Sequence, residues 1–148
     1  MEWFGLIAIA ITAGIVGKVL ISVDDWSRDW TQNVAELSDD ANKTCLQPVS
    51  LPQSPEEISE SITEWAENRS LWSLVSQSSD GPITTINLTR RTAIMRFVDD
   101  VTVEIRALPQ GGVFVWAKSQ SRVGKGDLGQ NPRNLCELTD YLRTLAND

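Results

Sequence analysis

The sequence has no histidine. That absence removes the serine and cysteine catalytic pairs that depend on an imidazole, the histidine-containing zinc sites, and any histidine general base near neutral pH. It has 2 cysteines, Cys45 and Cys136, too few for a four-thiolate metal cage or a disulfide-rich framework. They form one bridge or none, and their spacing in sequence leaves both open. Internal repeats and low-complexity tracts are also absent. What remains, 148 residues at 41% hydrophobic and 22% charged, is the composition of a globular chain with room for one ordinary domain.

Basic charge is scarce in the first half. Asp24 to Glu67 holds 11 acidic and 2 basic residues, whereas Asn68 to Asp148 holds 8 acidic and 10 basic. The acidic half repels phosphates, so nucleic acid is excluded as a partner, while the mildly basic second half suits an anion.

One long apolar run is present. Trp3 to Val23 is 21 residues with Lys18 as its single charge. A helix rises about 1.5 Å per residue, so this length spans the roughly 30 Å hydrocarbon core of a bilayer, and Lys18 lies near enough to one end to reach the headgroups. Trp3 and Phe4 mark one boundary and Trp26 and Trp30 the other, as amphipathic rings do at headgroup depth. The leader has only Glu2 where a secretory signal carries positive charge, and it lacks a convincing small-residue cleavage site, so a retained single-pass anchor is expected over residues 1–23. Lys18 and Arg28 lie on its C-terminal side, which favours a domain on the cytoplasmic or stromal face.

Trp26, Trp30, Val34 and Leu37 form a stripe at helical spacing. It predicts an acidic interfacial helix from Asp24 to Leu37, turned to lipid, to a partner or to the protein's own sheet. Residues 38–54, polar and carrying Pro48 and Pro52, then read as a linker. Ser54-Pro55-Glu56-Glu57 is a helix start, with a serine cap, a proline where its missing N–H is harmless and acids at the positive end of the dipole. Ile58, Ile62 and Trp65 give that helix its core face. Beyond Asn68 the period changes to two, predicting strands at 72–77, 83–90, 91–97, 101–108 and 113–122, with short turns between them. Asn131-Pro132 opens a last helix with Leu135, Leu138, Leu142 and Leu145 on one stripe. The fold class expected is α+β: a single N-terminal transmembrane helix, then a four- to five-stranded antiparallel sheet packed by two amphipathic helices, with the domain over residues 55–148.

Gly124-Lys125-Gly126-Asp127-Leu128-Gly129 fits the dinucleotide-binding pattern and falls between a strand and a helix. A dinucleotide site also needs a following parallel strand with an acid for the ribose, and none comes after this helix. The wider segment is polar: Ser119, Ser121, Arg122, Lys125, Asp127, Asn131 and Arg133 cluster around the N-terminus of the last helix. They make a candidate contact for an anion or a partner. The simpler reading has Arg122 pairing with Asp127 or with Asp99-Asp100, which staples the loop to the sheet. Asp99, Asp100, Glu104 and Asp127 have the oxygen chemistry of a Mg²⁺ or Ca²⁺ site. The simpler reading puts Asp99-Asp100 in a turn and Glu104 in solvent beside Arg106, so neither metal nor cofactor is expected.

The same segment carries a resemblance. Ser119-x-Ser121-Arg122-x-Gly124-x-x-Asp127-x-Gly129-x-Asn131, with Arg96-Phe97-x-Asp99-Asp100 and Ile105 upstream, resembles domain of unknown function family 1499, small proteins of bacteria, cyanobacteria and plastids. The resemblance runs from about Pro55 to the C-terminus. Members commonly carry a Cys-Pro-x-Ser-Pro-Asn-Cys stretch before the first helix, of which this sequence keeps Cys45 and Ser54-Pro55. The resemblance implies the α+β fold and membrane association, and its occurrence implies a photosynthetic, thylakoid setting; it assigns no activity.

These features favour a membrane-anchored accessory or assembly subunit of a larger membrane protein complex. It would touch lipid and partner through Trp3, Phe4, Trp26 and Trp30. The alternative is a small anionic-ligand-binding domain, or an enzyme using the loop from Ser119 to Arg133 with Asp127 or Asp99 for acid–base work and Arg122 as electrostatic stabiliser.

Overall fold

The computed structural model describes residues 33–93, 96–124 and 129–146. The expected anchor, with Trp3, Phe4, Trp26 and Trp30, lies outside the described residues. Among the described residues, no helix is long and apolar enough to cross a membrane.

The chain runs β1 (Val34–Glu36), a 3₁₀ turn (Thr44–Leu46), β2 (Val49–Leu51), α1 (Pro55–Glu67), β3 (Trp72–Asp80), β4 (Ile83–Arg91), β5 (Val98–Ala107), β6 (Val113–Ser121) and α2 (Gln130–Leu145). All pairings are antiparallel, in the order β1-β6-β5-β4-β3. β2 shares the outer edge of β6 with β1: β1 lies along Lys118–Gln120 and β2 along Val113–Val115. The sheet is therefore six-stranded rather than four- or five-stranded.

Three expectations change with it. Val34–Glu36 is strand where the tryptophan stripe predicted the end of a helix. The segment read as a linker folds onto the core, with Leu46, Val49 and Leu51 buried. Arg91–Phe97 is not a strand of its own: β4 and β5 pair directly from Ile83↔Arg106 to Arg91↔Val98, which leaves 92–97 as their connection. Thr92 receives the Phe97 N–H on its side chain, and Arg96 takes a left-handed φ of 54°, a conformation of turns rather than of strands.

One face of the sheet is covered by the two helices. Val101, Val103 and Ile105 of β5, Val113, Val115 and Ala117 of β6, and Ile86 and Leu88 of β4 alternate inward as period two requires. They meet Ile58, Ile62 and Trp65 of α1 and Leu135, Leu138 and Leu142 of α2, the stripes expected from sequence. Trp65 packs against Trp72 at 4.8 Å and stacks on Tyr141 at 5.6 Å, and Arg69 lies 4.5 Å over the Trp65 ring.

The start of α1 is the serine cap its sequence suggested, completed into a capping box by Glu57. Ser54 Oγ accepts the Glu57 N–H at 3.3 Å, and the Glu57 carboxylate accepts the Ser54 N–H at 2.8 Å. Hydrogen bonding to Ser54, from its backbone N–H first and then its side chain, holds the Glu57 carboxyl below its ordinary pKa. A lowered folded-state pKa means stabilisation that is complete above the ordinary glutamate range and lost as pH falls through the folded value. Ser54→Ala is expected to cost about 1 kcal/mol through the lost cap, seen as a lower urea midpoint, and it keeps the backbone N–H that lowers the Glu57 pKa.

Cys45, in the 3₁₀ turn, is joined to Cys136 of α2 by a disulfide. Around it, Thr139 Oγ1 donates to the Cys45 carbonyl at 2.6 Å and Arg143 donates to the Thr44 carbonyl at 2.8 Å. The excursion between β1 and β2 is thereby clamped to the last helix. At the sheet end beside β2, Gly112 has φ +78°, and a Cβ there would run into the Leu51 carbonyl oxygen, so only glycine fits.

Candidate functional site

The inner face turns polar at one end. Following β5 inward from Ile105 through Val103 and Val101, the next position is Asp99; following β6 from Val113 through Val115 and Ala117, the next are Ser119 and Ser121. The register sets Asp99 opposite Ser121 and Val101 opposite Ser119. On α2 the buried leucine stripe is continued towards the N-terminus by Asn134 and Asn131. Strand and helix periods thus bring five polar side chains into one buried layer.

The layer is bonded throughout. Asp99, 1% exposed, accepts from Ser121 Oγ at 2.6 Å and from Asn134 Nδ2 at 2.9 Å. Ser119 Oγ donates to Asn131 Oδ1 at 2.6 Å and accepts from Asn134 Nδ2 at 3.1 Å. Asn131 Nδ2 reaches Ser121 Oγ at 3.1 Å and the Asn33 carbonyl at 2.8 Å. Gln130 Nε2 closes the set on Asn134 Oδ1 at 2.7 Å. Arg90, across the ladder from Asp99, is 3.9 Å from Glu137 instead. Buried polar groups cost little when every partner is present, so this network ties β5, β6, α2 and the incoming chain at Asn33 into one joint.

A serine hydroxyl donating to a carboxylate is also the arrangement of an activated nucleophile. Here Ser121 is 7% exposed and Asp99 less, and both lie beneath α2 with their bonding capacity used inside the protein.

Outside this layer, Arg122 makes a two-pronged contact with Asp100, Nε to Oδ2 at 2.9 Å and Nη2 to Oδ1 at 2.7 Å. Hydrogen bonding to Asp100, then its charge, raises the Arg122 pKa. Both side chains are about half exposed, 54% and 50%, so the pair is worth little to stability. Of the two carboxylate partners expected for Arg122, it is Asp100 that takes it. Asp99-Asp100 is not a turn: both belong to β5, one facing in and one out, the alternation of a strand. Glu104 pairs with Arg106 at 2.7 Å as expected, and among the described residues no three carboxylates or thiols gather into a metal ligand set.

The sequence-selected residues therefore divide. Ser119, Ser121 and Asn131 come together in the interior; Arg122 stands outside with Asp100; Arg133 is exposed beside Gln130, 3.2 Å away. Lys125 and Asp127 lie outside the described residues. Asn134, Gln130 and Asn33 were missed as members of the group, and Asp99, named for metal or acid–base chemistry, was not placed in it. The signal for Asp99 was present, since it shares parity with Val101, Val103 and Ile105. Gly129, with φ 77°, starts α2 without a side-chain cap, a backbone position suited to glycine.

An antiparallel sheet with two helices on one face, its open end pinned by an Asp-Ser-Ser-Asn-Asn layer, defines the protein as a small α+β domain. The chain belongs to the family described as Protein of unknown function (DUF1499), whose model matches residues 27–142. No curated protein and no solved structure matches the chain.

Proposed function

We propose that this protein is a membrane-anchored accessory or assembly subunit of a larger membrane protein complex, with its domain on the oxidising side of the membrane. The observation that carries the first part is the commitment of the polar motif to the fold. Ser119, Ser121, Asn131 and Asp99 hold one another, and Arg122 holds Asp100. An anionic ligand held by Arg122 would have to take it from Asp100, and acid–base work by Asp99 would have to dismantle the joint. What the chain offers other molecules is then its apolar run at Trp3–Val23 and its exposed surface. The family's occurrence in cyanobacteria and plastids supports a photosynthetic membrane as the setting.

The Cys45–Cys136 disulfide supports the second part. Such bridges persist in the periplasm or in an oxidising lumen and are reduced in the cytosol. The bridge supports the side opposite to the one suggested by Lys18 and Arg28, a count of two charges.

Native electrophoresis of mildly solubilised membranes, followed by mass spectrometry of what co-migrates with the tagged full chain, tests the assignment. Stoichiometric co-migration with one defined complex is expected, and migration near the chain's own mass would overturn it. Protease added to sealed vesicles with their cytoplasmic face outward is expected to leave the domain intact; its digestion would overturn the orientation.

A further inference from the structure

The end of the sheet that receives the chain at Asn33 has a surface unlike the rest. Phe97 and Val123 are two of the three large apolar side chains exposed among the described residues, at 47% and 66%. Each adjoins the same closing bond of the sheet: the Arg122 N–H bonds the Val98 carbonyl at 3.0 Å, with Phe97 next to Val98 and Val123 next to Arg122 in sequence. Asn33 Nδ2 donates to the carbonyl of Gly124, the next residue, at 3.0 Å. The connection from Thr92 to Phe97 reads Thr-Ala-Ile-Met-Arg-Phe, an apolar sequence next to Arg90-Arg91 and containing Arg96.

Charge at this end is basic and available. Arg91 and Arg96 are exposed, and neither pairs with a carboxylate among the described residues. Among the described residues the nearby acids are engaged: Asp99 in the buried layer, Asp100 by Arg122, and Glu137 by Trp72 and Arg69.

We infer that this end of the domain lies on the bilayer, with Phe97 and Val123 entering the headgroup region of an anionic membrane and Arg91 and Arg96 meeting its phosphates. The inference rests on the reading of Trp3–Val23 as a membrane span. Trp30, read as a headgroup anchor, is three residues before Asn33, and three residues reach at most about 10 Å. The chain therefore delivers this end, and not the Asp80-Gly81 end, to the surface. Apolar side chains beside exposed arginines match the boundary between acyl chains and anionic headgroups.

The test uses the full chain in vesicles of phosphatidylcholine with phosphatidylglycerol. Val123→Cys carries an environment-sensitive fluorophore, and Gln110→Cys, in the turn at the opposite end, serves as the reference. Under non-reducing conditions only the added thiol is labelled. Brominated lipid is expected to quench the label at 123 and to leave the label at 110 bright. Arg91→Glu with Arg96→Glu is expected to diminish quenching at 123. Equal quenching at both positions, an unquenched label at 123 on a chain that floats with the vesicles, or undiminished quenching in phosphatidylcholine alone would each overturn the docking. In native membranes, photo-crosslinking from 123 exclusively to protein would overturn it in favour of a protein partner. A chain that fails to float with vesicles at all would sink the anchor reading itself.

Discussion

Opening the Cys45–Cys136 bridge is expected to lower the unfolding free energy by about 4–5 kcal/mol. The bridge closes a loop of 91 residues, from the 3₁₀ turn ahead of β2 to the first half of α2. In the chain-entropy account, stabilisation comes from the conformations denied to the unfolded chain and grows with the logarithm of loop length, which places this bridge near the upper end of what a single one supplies. Domains of this size are stable by about 5–15 kcal/mol, so the loss is a large share of the whole. Urea unfolding with and without reductant reads it directly, and Cys45→Ala with Cys136→Ala should reproduce the reduced midpoint. An unchanged midpoint on reduction would mean that the bridge does not constrain the unfolded chain. The bonds from Thr139 to the Cys45 carbonyl and from Arg143 to Thr44 should keep the turn near its place once the sulfurs part.

Asp99→Ala should be nearly as damaging, at about 2–5 kcal/mol. The substitution removes the acceptor for two buried donors, Ser121 Oγ and Asn134 Nδ2, and each donor left without a partner costs about 1–3 kcal/mol. Asp99→Asn should cost clearly less, because the geometry has a way to absorb it. The new amide would turn its oxygen to Asn134, whose own Oδ1 is already taken by Gln130, and its NH₂ to Ser121, whose Oγ also accepts from Asn131, so that one donor, the Ser121 hydroxyl, loses its acceptor instead of two. Thermal melts of the two variants, with Asn134→Ala and the double variant Asp99→Ala/Asn134→Ala completing a cycle, would measure the coupling. Equal losses for Asp99→Ala and Asp99→Asn would show that charge, rather than hydrogen-bond supply, is what this position provides.

How much of this was legible in the sequence depends on the length over which a pattern runs. Both helices were, since Ile58, Ile62 and Trp65, and likewise Leu135, Leu138 and Leu142, repeat long enough for the period to declare itself, and Ser54 with Glu57 marks a start unaided. The family was legible because the motif around Ser121, Arg122, Gly124 and Gly129 is dense. β1 and β2 were not, because three residues are too few to show alternation, and their pairing with β6 is a long-range choice. Arg91–Phe97 misled in the other direction: its apolar content reads as a strand, but β4 and β5 complete their ladder without it. The polar residues of the loop drew attention as a surface site, yet Ser119 and Ser121 sit at inward parity on β6. Parity was the better guide than polarity. The bridge was undecided for a simpler reason, that residues 91 apart meet only once the sheet has been assembled.

The sharing of one β6 edge by β1 and β2 bears on how copies of this domain behave when crowded together. An open sheet exposes unpaired N–H and C=O groups along its two flanks, and a long flat flank is a template for another chain. On one flank the two covering strands have three residues each and are separated by the clamped excursion that holds Cys45. On the other, β3 is nine residues long, but its register with β4 breaks between Leu74 and Ser76, and beyond the break it presents Ser76, Gln77, Ser78 and Ser79. A bulge bends the strand, and a serine-rich edge gives an incoming strand little apolar surface to hold. The flanks thus discourage edge-to-edge pairing, and the domain can be concentrated without stitching its sheets together.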